Sequence, residues 1–196
     1  MVIGGDKSMA LTADYGLETP ARRLLLVALS LEDRTRKRRM DMLHIQKVIR
    51  FYEHLRAKAL EVDFSNYDMG GVSYELHENI DTLQEYGLVH KQADCYELTR
   101  EGERAARELR KEFTDDDLQK FAFSKHQLND LSFEEVMYFM YKTVPETQEN
   151  STYYARLEKN KQSLVNSLFL KGRITSATAT KWLGISEREF DTLLSS

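Results

Sequence analysis

With 196 residues, 41% of them hydrophobic, the chain can bury one compact domain or a domain with a small appendage, and its single Cys95 excludes an internal disulfide or a Cys-based zinc cluster within one chain. A net charge of −4 excludes a general attraction for phosphates, so any nucleic-acid binding has to come from a local patch. No apolar run approaches the roughly 20 residues that cross a bilayer, and Met1-Val2-Ile3-Gly4-Gly5-Asp6 lacks the basic and apolar stretches of a signal peptide, so a cytoplasmic protein with no membrane partner is expected.

Residues 1–18 show no sustained periodicity and read as a loosely held arm. Thr19-Pro20 predicts a helix start, because Thr caps well and Pro suits the first helical position; Leu24, Leu25, Val27, Ala28 and Leu31 supply its apolar face. A second helix is expected from about Lys37, with Ile45, Val48, Ile49, Tyr52, Leu55 and Ala59 recurring at three- and four-residue steps. Residues 62–71 form a connector with a turn at Met69-Gly70-Gly71. Ser73 is the expected cap of a helix over 74–86, whose apolar stripe is Leu76, Ile80 and Leu83.

Gly87 suits the left-handed conformation that closes that helix. Leu88-Val89 then begin a strand that turns near Ala93-Asp94 and returns through Tyr96 and Leu98, and Thr99 caps the next helix. Helix end, short hairpin and helix start make the pattern of a wing. The expected fold is therefore mainly α: a winged helix-turn-helix with one short β-hairpin and a helical extension over residues 19–145. In the extension, helices are predicted over 99–113, from Thr114 with Asp115, Asp116 and Asp117, and from the capping box Ser132-Phe133-Glu134-Glu135, ending before Pro145. The polar stretch 146–152 reads as a linker to a second unit, 153–196. There one helix is expected to run to Lys171 and stop at Gly172, followed by helices over 176–183 and 187–194 about Gly184-Ile185-Ser186, a helix-turn-helix spacing.

The order Lys47, Tyr74-Glu75-Leu76, Leu83, Tyr86-Gly87-Leu88-Val89, Tyr96-Glu97-Leu98-Thr99, Gly102, Leu131-Ser132, Tyr138, Tyr141 and Pro145-Glu146 resembles the YwgA-like proteins, prokaryotic proteins akin to Panacea-type antitoxins. Residues 169–194, with Gly172, Ile174, Ala179, Leu183-Gly184-Ile185-Ser186 and Phe190, separately resemble a small family of antitoxin-like helix-turn-helix proteins of archaea and bacteria. The resemblance implies transcriptional regulation or toxin neutralisation without catalysis.

Charge is unevenly distributed. Between residues 20 and 60, eleven Lys and Arg stand against four Asp and Glu, whereas between 61 and 118 six stand against sixteen. A stripe of Arg34, Arg36, Lys37, Arg38, Arg39, Lys47 and Arg50 along one helix is the candidate for DNA-backbone contact, against the alternative of a solvated surface paired with the acidic segment. The helix over 74–86 offers Glu75, Glu78, Asp81 and Glu85, with only His77, Asn79 and Gln84 as base readers, and its acidity opposes groove insertion. Further candidates are His90, Lys91 and Gln92 on the wing, and Lys171, Arg173, Lys181 and Arg188 in the tail.

The five histidines show no metal-site spacing, and Cys95 fits a small apolar role better than a reactive thiol, so neither catalysis nor a cofactor is expected. Two functional readings stand. One is an antitoxin-like DNA-binding regulator that forms a homodimer and contacts double-stranded DNA; the other is a protein-interaction module that keeps the winged fold and docks a toxin or another basic partner.

Overall fold

The computed structural model describes residues 16–56, 58–65, 71–149 and 151–195, so the predicted arm and the turn at Met69-Gly70 lie outside the described residues. The protein is mainly helical with a small three-stranded antiparallel sheet. It divides into two compact units, the first holding residues up to 65 together with 71–130, the second running from residue 131 onward. The division falls ahead of the polar stretch 146–152, whose first part is a 3-10 turn, Pro145–Gln148, inside the second unit.

In the first unit α1 (Pro20–Ser30) is the central element. Its run from Leu24 to Leu29 is buried on every side, as a helix apolar all round must be, and it packs against α2 (Met42–Arg56), α3 (Tyr74–Glu85), α4 (Arg100–Leu109) and the sheet. Each fully buried Leu of this kind stabilises by about 2 kcal/mol. Ser73 caps α3 by accepting from Leu76 N at 3.3 Å. Gly87, at φ 68°, ends it: Leu88 N donates to Leu83 O at 2.9 Å and Gly87 N to Gln84 O at 2.9 Å.

The hairpin follows as β2 (Val89–Gln92) and β3 (Cys95–Leu98), joined by a two-residue turn in which Ala93 has φ 53°. A third strand, β1 (Met40–Asp41), was not foreseen from the sequence. It pairs with β3 in the register Met40 with Tyr96 and Asp41 with Cys95, giving the order β1-β3-β2. Consequently the second helix starts at Met42 rather than near Lys37. Helix α5 (Asp115–Leu128) packs along α2, where Tyr52 stacks on Phe121 with ring centroids 4.3 Å apart and donates its hydroxyl to Asp117 at 3.1 Å.

In the second unit α6 (Phe133–Thr143) is central, buried from Glu135 to Tyr141. The expected single helix from 153 to 171 is two, α7 (Thr152–Lys159) and α8 (Lys161–Leu170). They break at Asn160, a poor helix former that sits here at ψ 14°. After Gly172 at φ 65° come α9 (Ser176–Leu183), Gly184 at φ 72°, and α10 (Glu187–Leu194), with Trp182 of α9 edge-on to Tyr138 and Phe190 of α10 edge-on to Phe169.

Candidate interaction surfaces

Helix α3 presents an acidic face. Glu78, Asp81 and Glu85 are exposed, as are His77 and Tyr74, the last with 65% of its surface open. Two of the three polar residues named as base readers are already engaged. Asn79 is buried, its Oδ1 accepting from Arg22 Nε at 2.7 Å and Thr19 Oγ1 at 3.1 Å while its Nδ2 donates to Glu75 O at 2.7 Å; Gln84 donates to Asp81 at 3.2 Å.

The basic stripe does not form. Residues 34–39 lie in the loop before β1 instead of on a helix, because Asp33 gathers that loop around its carboxylate. Asp33 Oδ1 accepts from Thr35 N at 2.7 Å, Thr35 Oγ1 at 2.8 Å and Lys37 N at 2.9 Å, while its Oδ2 accepts from Asn129 Nδ2 at 2.7 Å. Burial pushes this carboxyl up, but the bonds from Lys37, Thr35 and Asn129 outweigh it and hold the group below the ordinary Asp value.

Lys47 is corrected outright: it is 1% exposed, with its Nζ donating to Gly71 O at 3.1 Å, and burial followed by the nearby Arg50 charge lowers it to about 8. Such a lysine cannot touch a phosphate without leaving the core. Arg50 is half-buried, bonded to Glu53, with its guanidinium 5.4 Å from the Phe64 ring centroid. Arg38 is shared between Glu32 at 3.0 Å and Glu103 at 3.1 Å. Arg34, Arg36, Lys37 and Arg39 remain exposed.

Loop and acidic helix lie at opposite edges of the sheet. The loop leads directly into β1, one edge strand, whereas α3 leads into β2, the other, and packs against it. The wing candidates His90, Lys91 and Gln92 are exposed on β2, with Lys91 Nζ 5.3 Å from the Tyr96 ring centroid.

The tail candidates divide similarly. Lys171 is exposed but paired with the Glu135 carboxylate at 2.7 and 2.8 Å, and Arg173 is buried and so is not a surface contact; Lys181 and Arg188 are exposed, the latter among Glu187, Glu189 and Asp191.

Sequence reasoning missed two residues that shape these surfaces, Asp33 and Lys125. An Asp followed by Thr two residues on is a recognised turn signal and would have marked the loop. Nothing marked Lys125, which is fully buried in α5 and donates to Ala28 O at 2.9 Å and Arg38 O at 2.6 Å. Among the described residues no group of His, Cys, Asp and Glu is gathered to hold a metal ion, and no helix is long and apolar enough to cross a membrane. The chain matches no protein-family model, no curated protein and no solved structure.

Proposed function

We propose that the first unit is a winged helix serving as a protein-interaction module, not one that reads DNA through its third helix. The order α1-β1-α2-α3-β2-β3 with an antiparallel β1-β3-β2 sheet supports the winged-helix reading, with α3 in the place of the groove-reading helix and the β2–β3 hairpin in the place of the wing. One observation carries the functional half: α3 exposes Glu78, Asp81 and Glu85 and contains no Lys or Arg. Carboxylates set against phosphates oppose docking, and each unfavourable contact offsets a good base contact of about 1–3 kcal/mol. The partner-docking role fits the antitoxin resemblance, in which a toxin is the implied partner.

A DNA-binding regulator is the second reading, and the exposure of Arg34, Arg36, Lys37 and Arg39 favours it. Anisotropy of a labelled DNA duplex with the full chain, titrated at several salt concentrations, separates the two. The interaction reading expects no binding that steepens at low salt. A log–log slope of about −3, matching three neutralised phosphates, and its loss on changing Arg36, Lys37 and Arg39 to Ala, overturns that reading in favour of DNA binding.

A further inference from the structure

We propose that loop 33–39 is a preformed docking site for an acidic protein segment; this rests on the interaction reading above and adds, at the opposite edge of the sheet from the acidic α3 that suits a basic segment, a second surface of opposite charge. The loop is built rather than slack. Besides the bonds to the Asp33 carboxylate, Asp33 N donates to Lys37 O at 2.9 Å and Arg36 N to Asp33 O at 3.0 Å. Lys125 Nζ holds Arg38 O, and Asn129 Nδ2 reaches Arg39 O at 3.3 Å. With the backbone tied inward at these points, the side chains of Arg36, Lys37 and Arg39 stand in solvent with their conformational cost partly met before any partner arrives.

Arg36 has φ 61°, a conformation Gly adopts freely and Arg adopts only at a cost. Strain of this kind at a cationic side chain directs attention to what the guanidinium does. Two clefts flank the loop. One of about 300 Å³ is lined by Leu29, Lys37, Arg38, Arg39 and Leu98 together with Glu97 and Glu103; the other, about 150 Å³, has Lys37 and Arg39 beside Met40 and Asn129. Lys37 and Arg39 border both, so a carboxylate entering either cleft meets the same two cations.

The carboxylates around the loop select the class of partner. Glu97 and Glu103 line the larger cleft, Asp33, Asp41 and Asp130 the smaller, Asp33 with its carboxylate already occupied by the loop's own donors. A duplex carries one charge per ~1.7 Å of axis and cannot avoid these groups. A peptide can place separate carboxylates on Arg36, Lys37 and Arg39 and set apolar side chains against Leu29 and Leu98.

The test is anisotropy of a fluorescein-labelled peptide of repeated Asp-Glu-Leu with the full chain at low and high salt, run beside a labelled DNA duplex. The expected result is salt-sensitive peptide binding, weakened several-fold by Arg36→Gly with no loss of thermal midpoint, and weakened further by adding Arg39→Ala. Arg36→Gly relieves the backbone as it removes the cation, so misfolding does not explain the loss. Peptide binding indifferent to both substitutions overturns the proposal. Absence of both peptide and duplex binding overturns it and leaves the interaction reading standing. Duplex binding tighter than peptide binding and lost in the same variants overturns both.

Discussion

At Gly102 a missing side chain decides how α4 meets the hairpin. A Cβ at this position would lie 1.9 Å from the Leu88 carbonyl oxygen, with the Leu98 side chain 3.3 Å away, and that carbonyl is itself fixed by Thr99 N at 3.0 Å. Backbone cannot withdraw without breaking the strand entry. Gly102→Ala is therefore expected to destabilise the first unit by about 2–4 kcal/mol, although alanine is the better helix former. Urea unfolding followed by circular dichroism checks it, and a variant as stable as the parent would show that the contact relaxes freely. Gly184 provides the contrast, since a Cβ there meets nothing within 4 Å and only its φ of 72° resists; Gly184→Ala is expected to cost about 1 kcal/mol. Nothing in the sequence separates these glycines by magnitude, because the difference lies in a neighbour fourteen residues earlier in one case and in empty space in the other.

Caps and turns were legible at the scale of whole elements because their chemistry is local. The Ser132 capping box forms as read: Glu135 N donates to Ser132 Oγ at 3.4 Å and Ser132 N to the Glu135 carboxylate at 2.7 Å. Its tertiary use was not legible, since the same carboxylate also accepts from Ser167 Oγ at 2.5 Å and Lys171 Nζ, tying α6 to α8 and its C-cap. Ser132→Ala is accordingly expected to cost about 1 kcal/mol, as a cap alone does, and Glu135→Ala clearly more, because it removes the cap's return bond together with the links to Ser167 and Lys171. Denaturation midpoints of the two variants check the ordering, and equal losses would show that the links to α8 contribute nothing. The basic stripe failed for the converse reason. Apolar periodicity from Ile45 to Tyr52 marked the buried face of α2, although the helix ends at Arg56 and Ala59 lies exposed beyond it, and the pattern contains no sign that Asp33 captures the preceding amides or that Met40-Asp41 pair with β3. Lys47 looked like a surface cation because burial of a lysine depends on a distant acceptor, here Gly71 O.

Across the whole chain, the buried ionisable groups set how stability varies with pH. Lys125 in the first unit has its amine lowered to about 7, chiefly by burial, which outweighs the nearby Asp33 charge, while Arg38 lowers it further. Lys47 is lowered to about 8. Both are folded-state values below the ordinary lysine value of 10.5, so between them and 10.5 the unfolded chain binds more protons than the folded one. Stability therefore rises with pH through that window, by up to about 1.4 kcal/mol per pH unit for each lysine. Glu135 in the second unit acts at the other end. Burial would raise it, but Lys171, Ser167 and Ser132 lower it to about 2, so its contribution is complete above the ordinary value of 4.5 and is lost as pH falls toward 2. The expected profile climbs between about pH 2 and 4.5, changes little from these groups until about pH 7, and climbs again above it. Urea midpoints measured across this range, with probes in each unit, test it. Lys125→Met is expected to flatten the upper climb while leaving the acid limb intact, and Glu135→Gln to do the reverse. An upper limb unchanged in Lys125→Met would mean that this amine keeps its proton in the folded chain, and that its bonds to Ala28 O and Arg38 O hold the charge against burial.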